Sequence, residues 1–395
     1  MAAGGGIELA EIVRAVGDDY RAGHVLCGQQ ERALRAIAAC RTAELGGHVE
    51  VCDRCGVVVH HYHSCRNRHC PKCQALAKER WVRERQGELL PGIEYFHVVF
   101  TLPHVLNPLA QGRPAVIYRL LFRAASETLL AFGRNPRWLG AEIGFTAILH
   151  TWGQRLDQHL HLHCIVSGGG LTEQGEWRSA KPHFLFPVRA LSKVFRGKFL
   201  EGLEGALRDD EVRLADGSRD EQSVTTFLRE LRAKDWVVYA KPPFADAAQV
   251  VAYLGRYTHR VAIGNHRLLG MEAGNVRFRW RDYAHGNKQK VMVLKGEEFL
   301  RRFLLHVLPK GFTRIRHYGL TASRGKGERL ARVREALAVA PPEPVETESV
   351  EAFMLRVVGI DIHRCPICGA GRMRLIAEIT PLHRPPATGP PGGGA

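Results

Sequence analysis

Helical periodicity runs through the first 45 residues of the chain. Apolar residues recur there at intervals of three and four, which places them on one face of an amphipathic helix. The positions that follow this spacing are Ile12, Val13, Val16, Leu34, Ile37 and Ala38. A charged helical stretch, ALAKERWVRERQGELL, then ends at Pro91, because proline does not continue a helix. We therefore predict a mostly helical segment up to Pro91 and a domain boundary at that residue.

Beyond Pro91 the hydrophobic period changes from helical to that of β-strands. Three segments are rich in β-branched and aromatic residues and are bounded by Pro or Gly: YFHVVFTL (95–102), FTAILHTWG (145–153) and HLHLHCIVSGG (159–169). The second and third predict a hairpin that turns near Asp157.

Helices and strands alternate irregularly in the rest of the chain. The patterns predict a helix over 189–207, a strand over 235–240, a helix that opens after Pro242 and Pro243, and a hairpin of VRFRWRD and KQKVMVLKG around HGN. This mixture favours an α+β fold with a central antiparallel sheet. We predict three domains: 1–91, helical and zinc-binding; 92–320, carrying the sheet; and 321–395, a basic linker with a CxxC segment and a tail that is disordered by composition.

Length and charge narrow the classes of function. A chain of 395 residues is longer than one hydrophobic core usually supports, so we expect two or three domains. Lys and Arg number 56 against 40 Asp and Glu, a net charge of +16 that indicates a polyanionic partner such as nucleic acid. The sequence has no apolar run of about 18 residues, which argues against a membrane span. We expect a cytoplasmic, nucleoid-associated protein with no membrane partner and no small-molecule substrate.

Seven of the ten cysteines fall in two groups, which in a reducing compartment indicates metal binding. Cys52 and Cys55 form one CxxC pair and Cys70 and Cys73 another, separated by fourteen residues. This spacing predicts four thiolates around one structural, tetrahedral zinc ion. Cys65, His69 or His48 could replace one of these ligands.

The second group is the pair Cys365 and Cys368 in HRCPICG, which is half of a zinc site. His363 and His383, or another chain, would have to complete a second zinc site there. The three remaining cysteines stand in apolar surroundings, and we expect them in the core: Cys27, Cys40 and Cys164.

Three histidines alternate with leucines in the segment from 159 to 163. Because successive side chains of a strand point to opposite faces, His159, His161 and His163 share one face. At a spacing of about 6.6 to 6.8 Å their rings can converge on one divalent ion. The sequence thus predicts a histidine metal site.

Two tyrosines stand four residues apart in the predicted helix 242–263. Gln249, Tyr253 and Tyr257 share one helical face, with Arg256 and Arg260 beside them. A tyrosine can attack a phosphodiester if its phenol, with a pKa of about 10, loses its proton and the developing charge is neutralised. A divalent ion would supply that neutralisation.

These motifs resemble a known family. SCRNRHCPKCQ, HLHLHC and YLGRYTHRVAI occur in the order found in the two-tyrosine HUH transposases of the insertion-sequence-91 family, and the resemblance runs from about residue 25 to VLPKGFTRIRHYGL near 320. It implies a zinc-binding N-terminal domain, an HUH nuclease domain on a central antiparallel sheet, and rolling-circle-like transposition through single-stranded DNA.

The resemblance also assigns roles to residues. It makes His161 and His163 the metal-binding pair, with Mg or Mn as the metal, and Tyr253 and Tyr257 the nucleophiles. For the third metal ligand we prefer Gln249, with Asp157 or His159 as alternatives. The expected partner is DNA, mainly single-stranded transposon ends and target.

A basic segment, 310–334, interleaves cations with Phe312 and Tyr318, which fits a groove that tracks a single strand while bases stack. The predicted DNA contacts are Lys310, Arg314, Arg316, Arg256 and Arg260. Two other functions remain open: a plasmid rolling-circle replication initiator or relaxase would use the same chemistry, and a non-catalytic zinc-dependent DNA-binding protein would form no covalent adduct.

Overall fold

A computed structural model describes residues 6–241, 244, 249–250, 253, 255, 262–342 and 348–382. The helices are α1 (Leu9–Gly23), α2 (Gly28–Ala39), α3 (Gln74–Gln86), α4 (Asn107–Gly112), α5 (Pro114–Arg134), α6 (Val188–Arg208), α7 (Glu221–Ala233), α8 (Gly296–Leu304), α9 (Lys326–Ala336) and α10 (Val350–Val358). The strands are β1 (Gly47–Cys52), β2 (Val58–Tyr62), β3 (Tyr95–Thr101), β4 (Glu142–Trp152), β5 (Gln158–Leu171), β6 (Trp177–Ser179), β7 (Val238–Lys241), β8 (Leu268–Glu272), β9 (Asn275–Asp282), β10 (Lys288–Lys295), β11 (Ile315–Gly319) and β12 (Met373–Ile379).

A six-stranded antiparallel sheet forms the centre of the molecule. Its order is β11-β4-β5-β3-β7, and β6 pairs with β5. Helices α5 and α6 cover one face, where every second residue of β3 and β5 is apolar, such as Phe96, Val98, Leu160 and Leu162. The α+β class and the hairpin around Asp157 are therefore confirmed.

A second hydrophobic core joins the N-terminal helices to a later part of the chain. Leu9 and Ile12 of α1 and Leu34 of α2 pack with Phe278 of β9 and Phe299 of α8. The strands there form a three-stranded sheet of order β10-β9-β8, which contains the predicted late hairpin. The ends of the three predicted domains stay a prediction.

A third sheet brings the two ends of the chain together. Its order is β12-β1-β2, and Cys52 at the end of β1 faces Met373 at the start of β12. Sequence patterns did not indicate this pairing, because the two strands are separated by most of the chain.

Two parts of the chain differ from the predicted elements. Sequence patterns predict no element in 103–144, where α4 and the largely buried α5 lie. Residues 315–319, inside the predicted DNA groove, form β11 in the six-stranded sheet. No helix in the described part of the chain combines the length and apolar character that a membrane crossing requires.

Candidate functional site

The face of the six-stranded sheet opposite α5 and α6 carries histidines on three neighbouring strands. His97 lies on β3, His150 on β4, and His161 and His163 on β5. The register pairs His150 with His161, so both side chains leave the same face. Strand alternation, together with the register of the paired strands, therefore gathers imidazoles that are distant in sequence.

His150, His161 and His163 form a compact group. Each offers a ring nitrogen, and these three atoms lie within 4.8 Å of one another. The ring centroids of His150 and His163 are 4.3 Å apart, and those of His161 and His163 are 4.7 Å apart. All three side chains are buried. Three converging imidazoles suit one divalent ion.

Burial keeps the rings of His161 and His163 neutral, which is the form that can bind a metal. It lowers the pKa of His161 to about 3, with a smaller contribution from His159, and holds the pKa of His163 well below its ordinary value. Nδ1 of His161 donates to the carbonyl oxygen of His159 at 2.9 Å. This hydrogen bond leaves Nε2 of His161 as the available ligand atom.

Tyr253 lies directly beside this histidine group. Its hydroxyl oxygen is 2.9 Å from Nε2 of His97 and 3.2 Å from Nδ1 of His163. The tyrosine is buried against Ile148 and Ile165 of the sheet. The geometry thus joins the phenol of Tyr253, His97 of β3 and the candidate metal ligand His163 in one hydrogen-bonded group.

His97 is a site residue that sequence reasoning missed. Its Nε2 lies 2.8 Å from Nδ1 of His163. Burial, followed by the charges of Lys241 and His161, lowers the pKa of His97 to about 3. The only sequence signal was a histidine in the predicted strand 95–102, and its significance depends on the pairing of β3 with β5.

The structure shows where the candidates for the third metal ligand lie. His150 supplies a third imidazole, whereas Asp157 and His159 lie outside the group. His159 instead has its Nδ1 3.0 Å from Nε2 of His104. Gln249 is exposed, and its role as a ligand stays a prediction. Three further predicted residues lie outside the described part of the chain: Tyr257, Arg256 and Arg260.

The cysteines form two groups of four, and neither is the predicted one. The first, which we call cluster A, consists of Cys40, Cys65, Cys70 and Cys73. The Sγ atoms of Cys40 and Cys65 each lie 3.5 Å from that of Cys73. Four thiolates at about 2.3 Å from a tetrahedral zinc ion would be about 3.8 Å apart, so the group fits zinc.

The second group, cluster B, consists of Cys52, Cys55, Cys365 and Cys368. Cys52 and Cys368 have their Sγ atoms 3.7 Å apart, and Cys55 and Cys365 have theirs 3.8 Å apart. The backbone N–H groups of Gly371 and Ala370 lower the pKa of Cys368 to about 6, which favours the thiolate. The pairing of β1 with β12 positions the two CxxC turns opposite each other.

Several cysteine predictions were therefore wrong. Cys52 and Cys55 do not share a group with Cys70 and Cys73, because β1 pairs with a strand from the other end of the chain. Cys40, expected as a core residue, joins Cys65 in cluster A. Cys27 is exposed, and Cys164 is confirmed as a core residue.

The histidines considered as alternative zinc ligands lie elsewhere. Nε2 of His69 accepts a hydrogen bond from the backbone N–H of Leu308 at 3.1 Å. His48 lies close to Glu50 and His61 on the sheet β12-β1-β2. His363 is outside cluster B, and His383 lies beyond the described residues.

Comparisons with known proteins show the family of this chain. Residues 12–102 match the family described as "Transposase zinc-binding domain", that of insertion sequence 91, and residues 144–329 match the family described as "Putative transposase". "Putative transposase y4qJ" of Sinorhizobium fredii is 49% identical over 389 residues, which cover 96% of this chain and 98% of that protein. The chain belongs to the insertion-sequence-91 family of transposases.

Two further proteins resemble this transposase. "Transposase for insertion sequence element IS801" of Pseudomonas savastanoi pv. phaseolicola is 30% identical over 349 residues, which cover 88% of this chain and 83% of that protein. Among solved structures, the conjugative relaxase TrwC in complex with OriT DNA, in its metal-free form, matches 62% of this chain and 72% of its own at 14% identity, with a TM-score of 0.25.

The predicted DNA-contacting residues of the transposase near 310–316 differ in exposure. Arg314 is buried, and this burial, with the nearby Arg68, lowers its pKa to about 9. The guanidinium of Arg316 lies over the ring of Phe122 at 4.3 Å, whereas Lys310 is exposed. Arg314 was therefore wrongly predicted as a DNA contact, because it points into the fold.

The aromatic rings of this segment were also expected to stack on bases. Phe312 lies edge-on to Tyr118 at 5.5 Å, and Tyr318 stacks on Phe145 at 5.0 Å. Both rings pack against the main hydrophobic core. They are therefore used for packing in this structure, contrary to the predicted base-stacking groove.

Proposed function

We propose that this transposase cuts and rejoins single-stranded DNA through 5′-phosphotyrosine intermediates, in rolling-circle-like transposition. One observation carries the proposal: the Tyr253 hydroxyl lies 3.2 Å from Nδ1 of His163, a member of the buried group with His150 and His161. A nucleophile next to a candidate metal site is the arrangement that phosphodiester cleavage requires.

Tyr253 is the nucleophile in this scheme. Its hydroxyl oxygen attacks phosphorus, a tyrosine oxygen–phosphorus bond forms, and the bond to the 3′ oxygen breaks. The released oxygen takes up a proton from solvent, so that one strand leaves with a 3′-hydroxyl. Nε2 of His97 lies 2.9 Å from the phenol oxygen and is placed to accept its proton. Because burial keeps His97 neutral near pH 7, it has a lone pair for that proton.

The three imidazoles suit a bound divalent ion. His150, His161 and His163 would hold it, and an all-imidazole donor set favours a transition metal ion over Mg. When bound, the ion would polarise the scissile phosphate and neutralise the charge that develops on it. Nδ1 of His163 remains turned toward Tyr253 and His97, which fixes the orientation of that ring.

Tyr257 is the second nucleophile in the proposal. Residues four apart share one helical face, so a second phenol would stand beside the first. One tyrosine can then cut the next DNA end while the other is covalently occupied. This division of labour supports strand transfer between two ends.

An adduct assay tests the proposal. The transposase is incubated with a labelled single-stranded oligonucleotide and Mn²⁺ or Mg²⁺, and covalent attachment is measured on a denaturing gel. Tyr253→Phe and Tyr257→Phe should each retain part of the cleavage and lose transposition. The double variant and His161→Ala should form no adduct, whereas Tyr62→Phe, which changes an exposed tyrosine on β2 in another sheet, should behave like the wild type.

The outcomes separate the alternatives. An adduct with the double variant would place the nucleophile elsewhere. DNA binding without any adduct in the wild type would favour a non-catalytic zinc-dependent DNA-binding protein. Adduct formation without movement of a flanked DNA segment in cells would favour a replication initiator or relaxase.

A further inference from the structure

The sheet β10-β9-β8 has an exposed face with a row of arginines. Arg277, Arg279 and Arg281 alternate along β9, and all three are exposed. Their register partners on β10 are Val293, Val291 and Gln289. We call the surface formed by these six residues and Lys295 the arginine face.

The opposite face of the same strands is buried. Val276 and Phe278 of β9 belong to the core shared with α1 and α8, and Met292 and Leu294 of β10 pack against it. The alternation in VRFRWRD therefore points aromatic and apolar side chains inward and guanidinium groups outward. Val291 and Val293 are 50% and 57% exposed between those charges.

The charge of the arginine face suits a row of phosphates. Four of its seven residues are cationic, and Glu272 is the acid that approaches it, 3.9 Å from Arg277. Guanidinium groups two residues apart on a strand are spaced about 6.6 to 6.8 Å. That distance is close to twice the axial rise of about 3.4 Å per phosphate of one strand in duplex DNA.

The sheet also contacts the turn that leads into the histidine group. The guanidinium of Arg155, in the turn between β4 and β5, lies over the ring of Trp280 at 5.6 Å. The backbone N–H of Arg281 donates to Oε1 of Gln154 at 3.4 Å. His150 and His161 lie on the two strands that this turn joins. The arginine face thus belongs to a sheet that packs, through Trp280 on its inner side, against the hairpin carrying two of the histidines.

We propose that the arginine face binds the phosphate backbone of duplex DNA adjoining the strand that is cut. This inference rests on the proposed nuclease function. The described residues of the face include no aromatic ring, whereas proteins that hold single strands combine cations with stacking rings. Beyond Phe278, β9 pairs with β10 alone, and a two-stranded β-ribbon fits the major groove of a duplex. Duplex DNA is thus the partner that this surface matches.

Fluorescence anisotropy with a short labelled duplex, and with a single strand of the same sequence, tests this binding. Replacing Arg277, Arg279 and Arg281 by Ala should weaken duplex binding roughly tenfold or more and reduce the salt slope by about 3, since each lost phosphate contact removes about 1. Binding to the single strand should change little. The control variant replaces Arg208, Arg229 and Lys234, three exposed cations of α6, α7 and the residue after α7.

Each outcome decides the proposal. Unchanged duplex affinity in the arginine variant, an equal loss in the control, or an equal loss of single-strand binding would overturn it. Adduct formation on a short single strand is measured in parallel and should persist in the arginine variant. A wild type without adducts would contradict the nuclease function but not duplex binding by this face.

Discussion

At the residue scale, His97 connects the tyrosine with the candidate metal ligands. Nε2 of His97 lies within hydrogen-bond distance of both the Tyr253 hydroxyl and Nδ1 of His163. The three groups come from β3, β5 and the tyrosine segment, so small changes in any of them alter the same hydrogen bonds. We therefore regard His97 as the residue that orients Tyr253 and accepts its proton.

Replacing His97 by Phe tests this role. The change is made in the Tyr257→Phe variant, where Tyr253 is the nucleophile under test. There the phenol loses its acceptor, and we expect the single-turnover rate of adduct formation to fall about 10²- to 10⁴-fold, as is typical for loss of a general base. DNA affinity should change little, and metal affinity is measured separately because His97 also orients the ring of His163. His183→Ala, which alters an exposed histidine, is the control. An unchanged rate in His97→Phe would exclude the role.

A second residue-scale prediction concerns pH and His69. Burial, with the charges of Arg68 and Arg314, lowers the pKa of His69 to about 3. The unfolded chain binds a proton to this histidine below a pKa of about 6.5, whereas the folded chain does not until about pH 3. Stability is thus present above pH 6.5 and is lost as the pH falls below it. At pH 5.5 the loss relative to pH 7.5 should be about 1.4 kcal/mol.

The measurement is urea unfolding of the wild type and of His69→Gln at both pH values. Gln keeps an acceptor for the backbone N–H of Leu308 but does not titrate. Between pH 7.5 and pH 5.5, the unfolding free energy of the wild type should fall by about 1.4 kcal/mol relative to that of His69→Gln. Since zinc loss affects both proteins alike, it cancels in this comparison. No shift would mean that His69 is protonated when folded.

At the element scale, the two CxxC turns near the N terminus serve different partners. The turn after β1 faces the turn before β12, while the turn at the start of α3 meets Cys40 at the end of α2. In cluster A, Cys40 and Cys65 complete the group begun by the turn at the start of α3. In cluster B, the turn before β12 supplies the other two cysteines. Cluster A therefore joins the end of α2 to the start of α3, and cluster B adds to the ladder that already pairs β1 with β12.

Zinc content distinguishes this arrangement from a single four-cysteine site. Cys52→Ser and Cys70→Ser should each remove one equivalent of zinc from purified protein, and the double variant should remove two. Cys40→Ser should lose zinc with cluster A, while Cys27→Ser, at an exposed cysteine, should lose none. If the double variant lost no more zinc than either single variant, the two turns would share one ion.

At the scale of the whole molecule, the structure joins the two ends of the chain. Strand β12 pairs with β1, and cluster B links Cys365 and Cys368 to Cys52 and Cys55. Apart from cluster B, few buried apolar residues hold residues 348–382, since most of β12 is exposed. The C-terminal segment is therefore held in position by the β12–β1 ladder and by cluster B.

Limited proteolysis tests this dependence. In Cys365→Ser we expect rapid cleavage within residues 348–382, because metal binding there contributes directly to folding. The six-stranded sheet, with its own core, should stay protected. Cys27→Ser, a change of one thiol outside both clusters, should leave the cleavage pattern unchanged. Mass spectrometry identifies the sites of cleavage. Equal protection of both variants from cleavage would contradict the role of cluster B.

The sequence by itself determined what depends on local periodicity and on residue type. It placed His161 and His163 on one face of a strand, predicted the β4–β5 hairpin, and identified thiolates as zinc ligands. Its motifs also identified the family. Each of these features follows from neighbours a few positions apart, which fix the side-chain direction.

Only the tertiary structure decided which distant residues meet. Strand register brought His150 and His97 to the histidine pair, and the pairing of β1 with β12 divided the cysteines into two groups. Packing also buried Arg314, whose charge had suggested a DNA contact. The physical reason is that periodicity fixes the face on which a side chain lies, whereas the partner across that face depends on contacts between segments far apart in the chain.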